Sequence, residues 1–404
     1  KVPQQFLDLA PENADESPLL QSLQRLPDTM DADERAAFTT AVRGLYASQL
    51  RPALLGLQVY MQQTYIPGAV RATGLSNLPN GADWYAYEAR RFTTTAHTPQ
   101  EIHDIGKAEV ARISDALRDV MAEVGFRGSI RQFVAKTRQD PRWYYTDPEA
   151  LLKDYRALAM VVSARLPRLF QRFAALPYGI EAIPAFRARG SSAAYYLPGS
   201  AEFGRPGVFY VNTTRLDESP KYEMEALLLH EGAPGHHFQI ARAQELDDVP
   251  AFRKHGRFTA YTEGWGLYAE SLGPELGLYA DPYSRFGALT FEMWRAVRLV
   301  ADTGMHALGW SRDQAIEYFE ETTGRPRGRI EAEVDRYLVM PGQALAYKMG
   351  EILIRDLRAQ AEQALGTGFD VRAFHEVVLN AGAMPLAVLE ERVNTWISQQ
   401  EAAS

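Results

Sequence analysis

The stretch His230-Glu231-Gly232-Ala233-Pro234-Gly235-His236-His237 limits the fold of this chain more than any other. Ser219-Pro220 opens a helix that runs into it. On an unbroken helix His236 would point ~120° away from His230, and His237 would stand ~10.5 Å further along the axis. Gly232, Pro234 and Gly235 fall between the histidines. Proline removes an amide donor and clashes with the preceding turn, and glycine permits the bulge that follows. The helix therefore breaks here, and two readings are open. The extra residues loop out and return a later histidine beside His230, forming a metal site. Alternatively, one helix ends at Gly232 and another starts at Gly235, and the histidines are polar residues at a junction.

The composition narrows the chemistry. A chain of 404 residues is long enough for a large core or for two subdomains. The formal net charge of −8 and the lack of a basic stripe argue against nucleic acid as a partner. No apolar run approaches the ~20 residues of a membrane span. There is no cysteine, so any metal must be held by His, Asp or Glu. The chain opens at Lys1 without a Met or a visible signal peptide, and an upstream segment is expected to have been removed or left out.

Helical signals dominate. Phe38, Val42, Leu45, Leu50, Leu54 and Leu57 recur at roughly helical spacing across 33–64. Thr98-Pro99-Gln100-Glu101 reads as a capping box with proline at the first helical position, and Ile102, Ile105, Ile113, Leu117 and Val120 continue that helix. Thr146-Asp147-Pro148-Glu149 repeats the device, and Ser311-Arg312-Asp313-Gln314 is another capping box. Residues 351–366 and 384–399 also read as helices. Residues 193–197 and 208–212 are β-type runs around a Pro- and Gly-rich loop, which predicts a hairpin just before the motif helix. The expectation is a mainly α protein with a small sheet beside the motif helix. It forms one unit over 1–404, built as two helical halves around a cleft, roughly 1–190 and 191–404.

In the metallopeptidase signature H-E-x-x-H, two imidazoles four residues apart face one way, and the Glu serves as base toward a metal-activated water. Here Glu231 follows His230, but position 234 is Pro, so the second ligand must be His236 or His237. A third ligand is usually a carboxylate. Glu263 and Glu270 lie seven apart, two helical turns, so they share a face. One could bind metal while the other holds a ligand histidine. Two solvated glutamates on a helix would show the same spacing.

Residues 230–236 resemble the gluzincin peptidases. The thimet-type oligopeptidases, the Taq-type carboxypeptidases and angiotensin-converting enzyme have His-Glu-x-Gly-His, and dipeptidyl peptidase III has one residue more. His-Glu-Gly-Ala-Pro-Gly-His is similar with one further residue, and this favours His236 over His237. More closely, the chain resembles the bacterial domain-of-unknown-function family 885, often described as secreted proteins or lipoproteins. The stretches that carry this are 101–106, 205–212, 230–237, 261–270, 302–306 and 341–348. Family members have a longer N-terminal helical part than this chain.

The resemblance implies a zincin-like helical architecture. Zn2+ would be held by His230, His236 and Glu263, with His237 as alternate ligand and Glu270 behind a histidine. Glu231 would be the general base, and a downstream tyrosine, Tyr347 before Tyr337, would donate to the oxyanion. For a peptide or amide substrate, the hairpin around Tyr210 could offer a strand edge. Arg295 and Arg298, three apart on a helix, could grip a carboxylate, although salt bridges are their commoner fate. His306 could orient substrate, or be a core histidine. His97, His103, His255 and His375 have no partner spacing and read as structural. The expected function is a zinc metallopeptidase on short peptides, located in the periplasm or outside the cell, with a lipid anchor through the missing N-terminus. The alternatives are a zinc amidohydrolase on a non-peptide small molecule and an inactive zincin-fold binding protein.

Overall fold

The computed structural model describes residues 2–69, 73–188 and 191–403. The chain forms two compact units, Lys1–Ala72 and Thr73–Ser404. The expected boundary between halves at residue 190 falls inside the second unit, on residues outside the described set.

In the first unit a helical run spans 32–68, opened by Asp31, whose side chain accepts from the Glu34 N–H at 2.8 Å. Two wider π turns interrupt it, Tyr46–Leu50 and Met61–Tyr65, each shortly before a proline, Pro52 and Pro67. Proline cannot donate to the preceding turn and crowds its carbonyl, so the helix widens just ahead of it. The helical spacing over 33–64 is real, but of the residues that suggested it only Leu54 is buried. Phe38, Leu45, Leu50 and Leu57 face solvent.

The second unit is mainly helical around a small sheet. The Pro99–Glu123 helix starts with the expected Thr98–Glu101 capping box and packs along the Pro282–His306 helix. Ser311 likewise caps Arg312–Thr323. Pro148–Arg165 is capped by Asp147 rather than Thr146, because the aspartate reaches the N–H groups of Glu149 and Ala150. The C-terminal helices run Ala346–Leu365 and Leu386–Ala403. Among the described residues no helix is long and apolar enough to cross a membrane.

Three strands make the sheet: β1 (Tyr178–Ala182), β2 (Ala194–Leu197) and β3 (Gly207–Val211), in the order β1-β3-β2. β2 and β3 form the expected antiparallel hairpin, and β1 adds in parallel on the other side of β3. The sequence reading missed β1, whose Tyr-Gly-Ile-Glu-Ala alternates too briefly to stand out. Its presence places Tyr210 opposite both Tyr195 and Glu181 in a strand with two occupied edges. The open edge of the hairpin therefore belongs to β2, not to Tyr210. Phe209 and Val211 point inward and join the largest core, which also takes in Leu227, Leu228, Leu229, Phe238, Tyr261, Trp265 and Tyr268. This shared core holds the helices Met224–Glu231, His236–Gln244 and Thr259–Ser271 together.

Candidate metal centre

One helix ends at Glu231 and the next begins at His236, so Gly232–Gly235 form a loop that both breaks the helix and turns the chain back. The Ala233–Pro234 peptide is cis. Only glycine fits at 235, because a Cβ there would lie 2.0 Å from the His230 carbonyl oxygen. Trp265, buried in the Thr259–Ser271 helix, donates its indole N–H to the Pro234 carbonyl at 2.8 Å and so ties the loop to that helix. One residue on, a Cβ at Gly266 would stand 2.7 Å from the His230 ring. The missing side chain is the space in which the imidazole lies.

The result is a convergence of three side chains. His230 and His236 have ring centroids 4.5 Å apart at 80°. The Glu263 Oε2 is 3.6 Å from His230 Nε2 and 3.3 Å from His236 Nε2. One ligand atom from each residue lies within 4.8 Å of the others. On its far side His230 Nδ1 meets the Glu270 carboxylate at 2.7 Å. When Nδ1 donates to Glu270, Nε2 presents a lone pair toward Glu263 and His236. Three lone-pair atoms facing one point repel unless a cation or proton sits among them. Two imidazoles and a carboxylate are the donor set zinc and related divalent metals accept, so the residues present fit a metal.

The electrostatics agree with that geometry. Burial alone would depress the His230 imidazolium, but bonds to Glu263 and Glu270, reinforced by Glu231, push its pKa up to about 9. Burial works against the Glu263 carboxylate too, and His236 and His230 outweigh it, holding the acid far below the usual range. Without a metal, this arrangement favours a proton on His230 beside an ionised Glu263.

The other expected residues separate into two groups. Glu231 is the residue next to His230 and is 9% exposed. Tyr347 lies close enough to Glu263 that its charge, after burial, raises the phenol. Arg295 stands behind Glu270, with its guanidinium 3.5 Å from the carboxylate. These belong with the trio. His237 does not: it points into the sheet, where Nδ1 meets the Tyr196 hydroxyl at 3.0 Å and the ring lies 4.3 Å from Tyr178. Burial lowers its pKa to about 4. Tyr337 is committed elsewhere, donating to Glu333 at 2.9 Å and accepting from Arg298 at 3.1 Å. His306 is a clamp, accepting from the Leu75 N–H at 3.1 Å through Nδ1 and contacting the Tyr337 carbonyl at 3.0 Å through Nε2. His103 bonds Thr303, and His375 bonds Tyr268 and the Leu169 carbonyl, in keeping with structural roles.

Trp265, Gly266 and Tyr196 support the site without being among the residues expected from the sequence. The Gly264-Trp265-Gly266 triplet inside a helix was the available signal, since two glycines there cost stability without a close neighbour to justify them.

The model of the bacterial proteins of unknown function designated DUF885 matches residues 1–393. A crystal structure of a candidate lipoprotein from Colwellia psychrerythraea is similar, with a TM-score of 0.94 and 32% identity over 98% of this chain and 69% of that one. A candidate lipoprotein of unknown function from Shewanella oneidensis shares the fold, with a TM-score of 0.70 and 17% identity over 92% of this chain and 69% of that one. No curated protein matches the chain. The chain belongs to the DUF885 family.

Proposed function

We propose that this member of the DUF885 family is a zincin-type hydrolase, a zinc metallopeptidase acting on short peptides. The observation that carries the reading is the His230–His236–Glu263 convergence with Glu270 locked onto His230 Nδ1. A site made only for structure has no use for a buried glutamate such as Glu231 beside its ligands, and this favours chemistry over storage.

His230 Nε2, His236 Nε2 and a Glu263 oxygen would hold the metal. When bound, it supplies Lewis acidity toward water and a substrate carbonyl. The protein's own residues do the rest. Glu231 takes a proton from water and returns it to the leaving amine. Glu270 fixes the tautomer and orientation of His230, and Arg295 holds Glu270 in turn. The Tyr347 hydroxyl donates to the oxyanion as it forms. The Colwellia psychrerythraea relative is described as a candidate lipoprotein, and we carry that over as a periplasmic or extracellular setting.

The test is metal content by mass spectrometry on protein purified without a histidine tag, followed by hydrolysis of a peptide library with and without chelator. About one zinc per chain and chelator-sensitive cleavage are expected. Protein that stays metal-free after zinc incubation would end the reading. Protein that binds zinc but cleaves only non-peptide amides would move it to an amidohydrolase.

A further inference from the structure

Beside the metal centre lies a basic cluster that the mechanism above does not use. Arg298 on the Pro282–His306 helix faces Arg329, Glu333 and Arg336, which fall at i, i+4 and i+7 on the Arg327–Val339 helix and so share one side of it. A single oxygen, Glu333 Oε2, receives Arg298 at 3.0 Å, Arg336 at 3.0 Å and the Tyr337 hydroxyl at 2.9 Å. Arg329 rests over the Trp294 ring instead of on a carboxylate. Two guanidiniums thus share one carboxylate oxygen. Arg298 is 7% exposed, and its second terminal nitrogen has no hydrogen-bond partner among the described residues. A buried N–H without an acceptor is destabilising, because it has given up water and gained nothing in return. The sequence reading offered Arg295 and Arg298 as a pair. Each keeps one buried N–H without a partner among the described residues, Nε of Arg295 and a terminal nitrogen of Arg298, but Arg295 turns to Glu270 behind His230 whereas Arg298 turns to Glu333 and lies over Tyr347.

The cluster adjoins the proposed reaction centre through Tyr347. The Arg298 guanidinium lies 4.5 Å above the Tyr347 ring. The helix bearing Tyr347 meets the one bearing Glu263 backbone to backbone, since a Cβ at Gly264 would lie 2.5 Å from Gly350. Arg336, with its side chain 29% exposed, lies nearer solvent than Arg298, whose side chain is 9% exposed. A planar guanidinium with a free N–H matches a carboxylate better than any neutral group.

We propose that Arg298, with Arg336 at the entrance, is a subsite for a carboxylate of the substrate, so that the protein selects peptides carrying a carboxylate close to the bond to be cut. The proposal rests on the hydrolase reading for its meaning, but not for its test. One residue of extended chain spans at most ~3.6 Å. A carboxylate beside Tyr347 therefore lies within a residue or two of the bond to be cut, as either a free C-terminus or an acidic side chain.

Binding, which needs no turnover, decides it. Titration calorimetry of the full chain with Ala-Ala, with Ala-Ala amide and with an N-acetylated Ala-Asp amide separates the sources. Ala-Ala should bind about ten- to a hundredfold tighter than its amide, the range expected for a hydrogen bond to a charged group. That ratio should collapse in Arg298→Gln and shrink in Arg336→Gln. Tight binding of the capped acidic peptide would assign the carboxylate to a side chain and uphold the subsite. Equal affinity of wild-type protein for acid, amide and capped acidic peptide, or no binding of any, overturns it, with no variant needed. If Arg298→Gln fails to fold, as circular dichroism would show, Arg336→Gln and Arg298→Lys serve in its place. An acid-over-amide preference in protein that hydrolyses nothing would sink the hydrolase reading and leave the subsite standing.

Discussion

At Glu263 burial and charge pull in opposite directions, and charge wins: two histidines keep the carboxylate ionised where burial would protonate it. We expect Glu263→Gln to lower metal affinity by two orders of magnitude or more, read by competition with a fluorescent chelator, since it removes a ligand charge. Retention of wild-type affinity would exclude Glu263 as a ligand. Glu231→Gln should do the opposite, keeping stoichiometric metal while peptide hydrolysis falls by about 10²–10⁴, the usual worth of a general base. Unchanged turnover would remove that role. His237→Ala should keep its metal but lose about 1–3 kcal/mol of stability, because the ring fills space between Tyr178 and Tyr196. Denaturant unfolding and metal analysis of the same sample check both halves of that expectation.

Among elements, the break at Gly232–Gly235 and the Thr259–Ser271 helix act as one device. The loop brings His236 back to His230, and the helix supplies the Trp265 anchor, the Gly266 clearance, the Glu263 oxygen and the Glu270 clamp. Gly266→Ala isolates the clearance. Its Cβ would press on the His230 ring, so metal affinity should fall about 10–100-fold, the cost of disturbing a ligand's support. Helix content should stay as it was, alanine being the better helix former. Affinity equal to wild type in a calorimetric zinc titration would show that the ring has room to shift. Much at this scale was legible beforehand. Thr98 and Ser311 announce their helices because a cap is a local transaction between a side chain and backbone amides three residues away. β1 was not legible, because a five-residue parallel strand is defined by its partner β3 and hardly by itself.

For the whole molecule, three buried histidines shape the response to pH. In metal-free protein His230 is pushed up to about 9 from an ordinary value near 6.5. Its contribution is complete below about pH 6.5 and is lost as pH rises through 9. His237 and His375 are depressed by burial to about 4 and about 3. Their contribution is present above about pH 6.5 and is lost as pH falls from there toward those values. Metal-free protein should therefore melt highest near pH 6.5, and added zinc, by replacing the proton on His230, should flatten the alkaline decline. A melting temperature that rises from pH 6.5 to 9 without metal would contradict this. All residues of the trio and its supports lie in Thr73–Ser404. A chain cut to 73–404 should hold about one zinc, as the full chain should. Loss of metal from a truncated protein that is still folded would make the first unit part of the site.

The sequence by itself determined the mainly helical character, most helix starts, the β2–β3 hairpin, the helix break and the identity of His230, His236 and Glu263 as a possible set. All but the last rest on spacing or on chemistry within a few residues; the set of three rests on the resemblance to the gluzincin peptidases. The resemblance favoured His236 over His237, but only the tertiary structure shows what each ring meets: Glu263 for His236, Tyr178 and Tyr196 for His237. The tertiary structure also decided that Tyr347 rather than Tyr337 lies by Glu263, that Arg295 serves Glu270, and that Arg298 keeps a free donor. Those outcomes depend on helices brought together from distant parts of the chain. A side chain's role there is set by the charges and volumes it meets, and local periodicity carries no record of them.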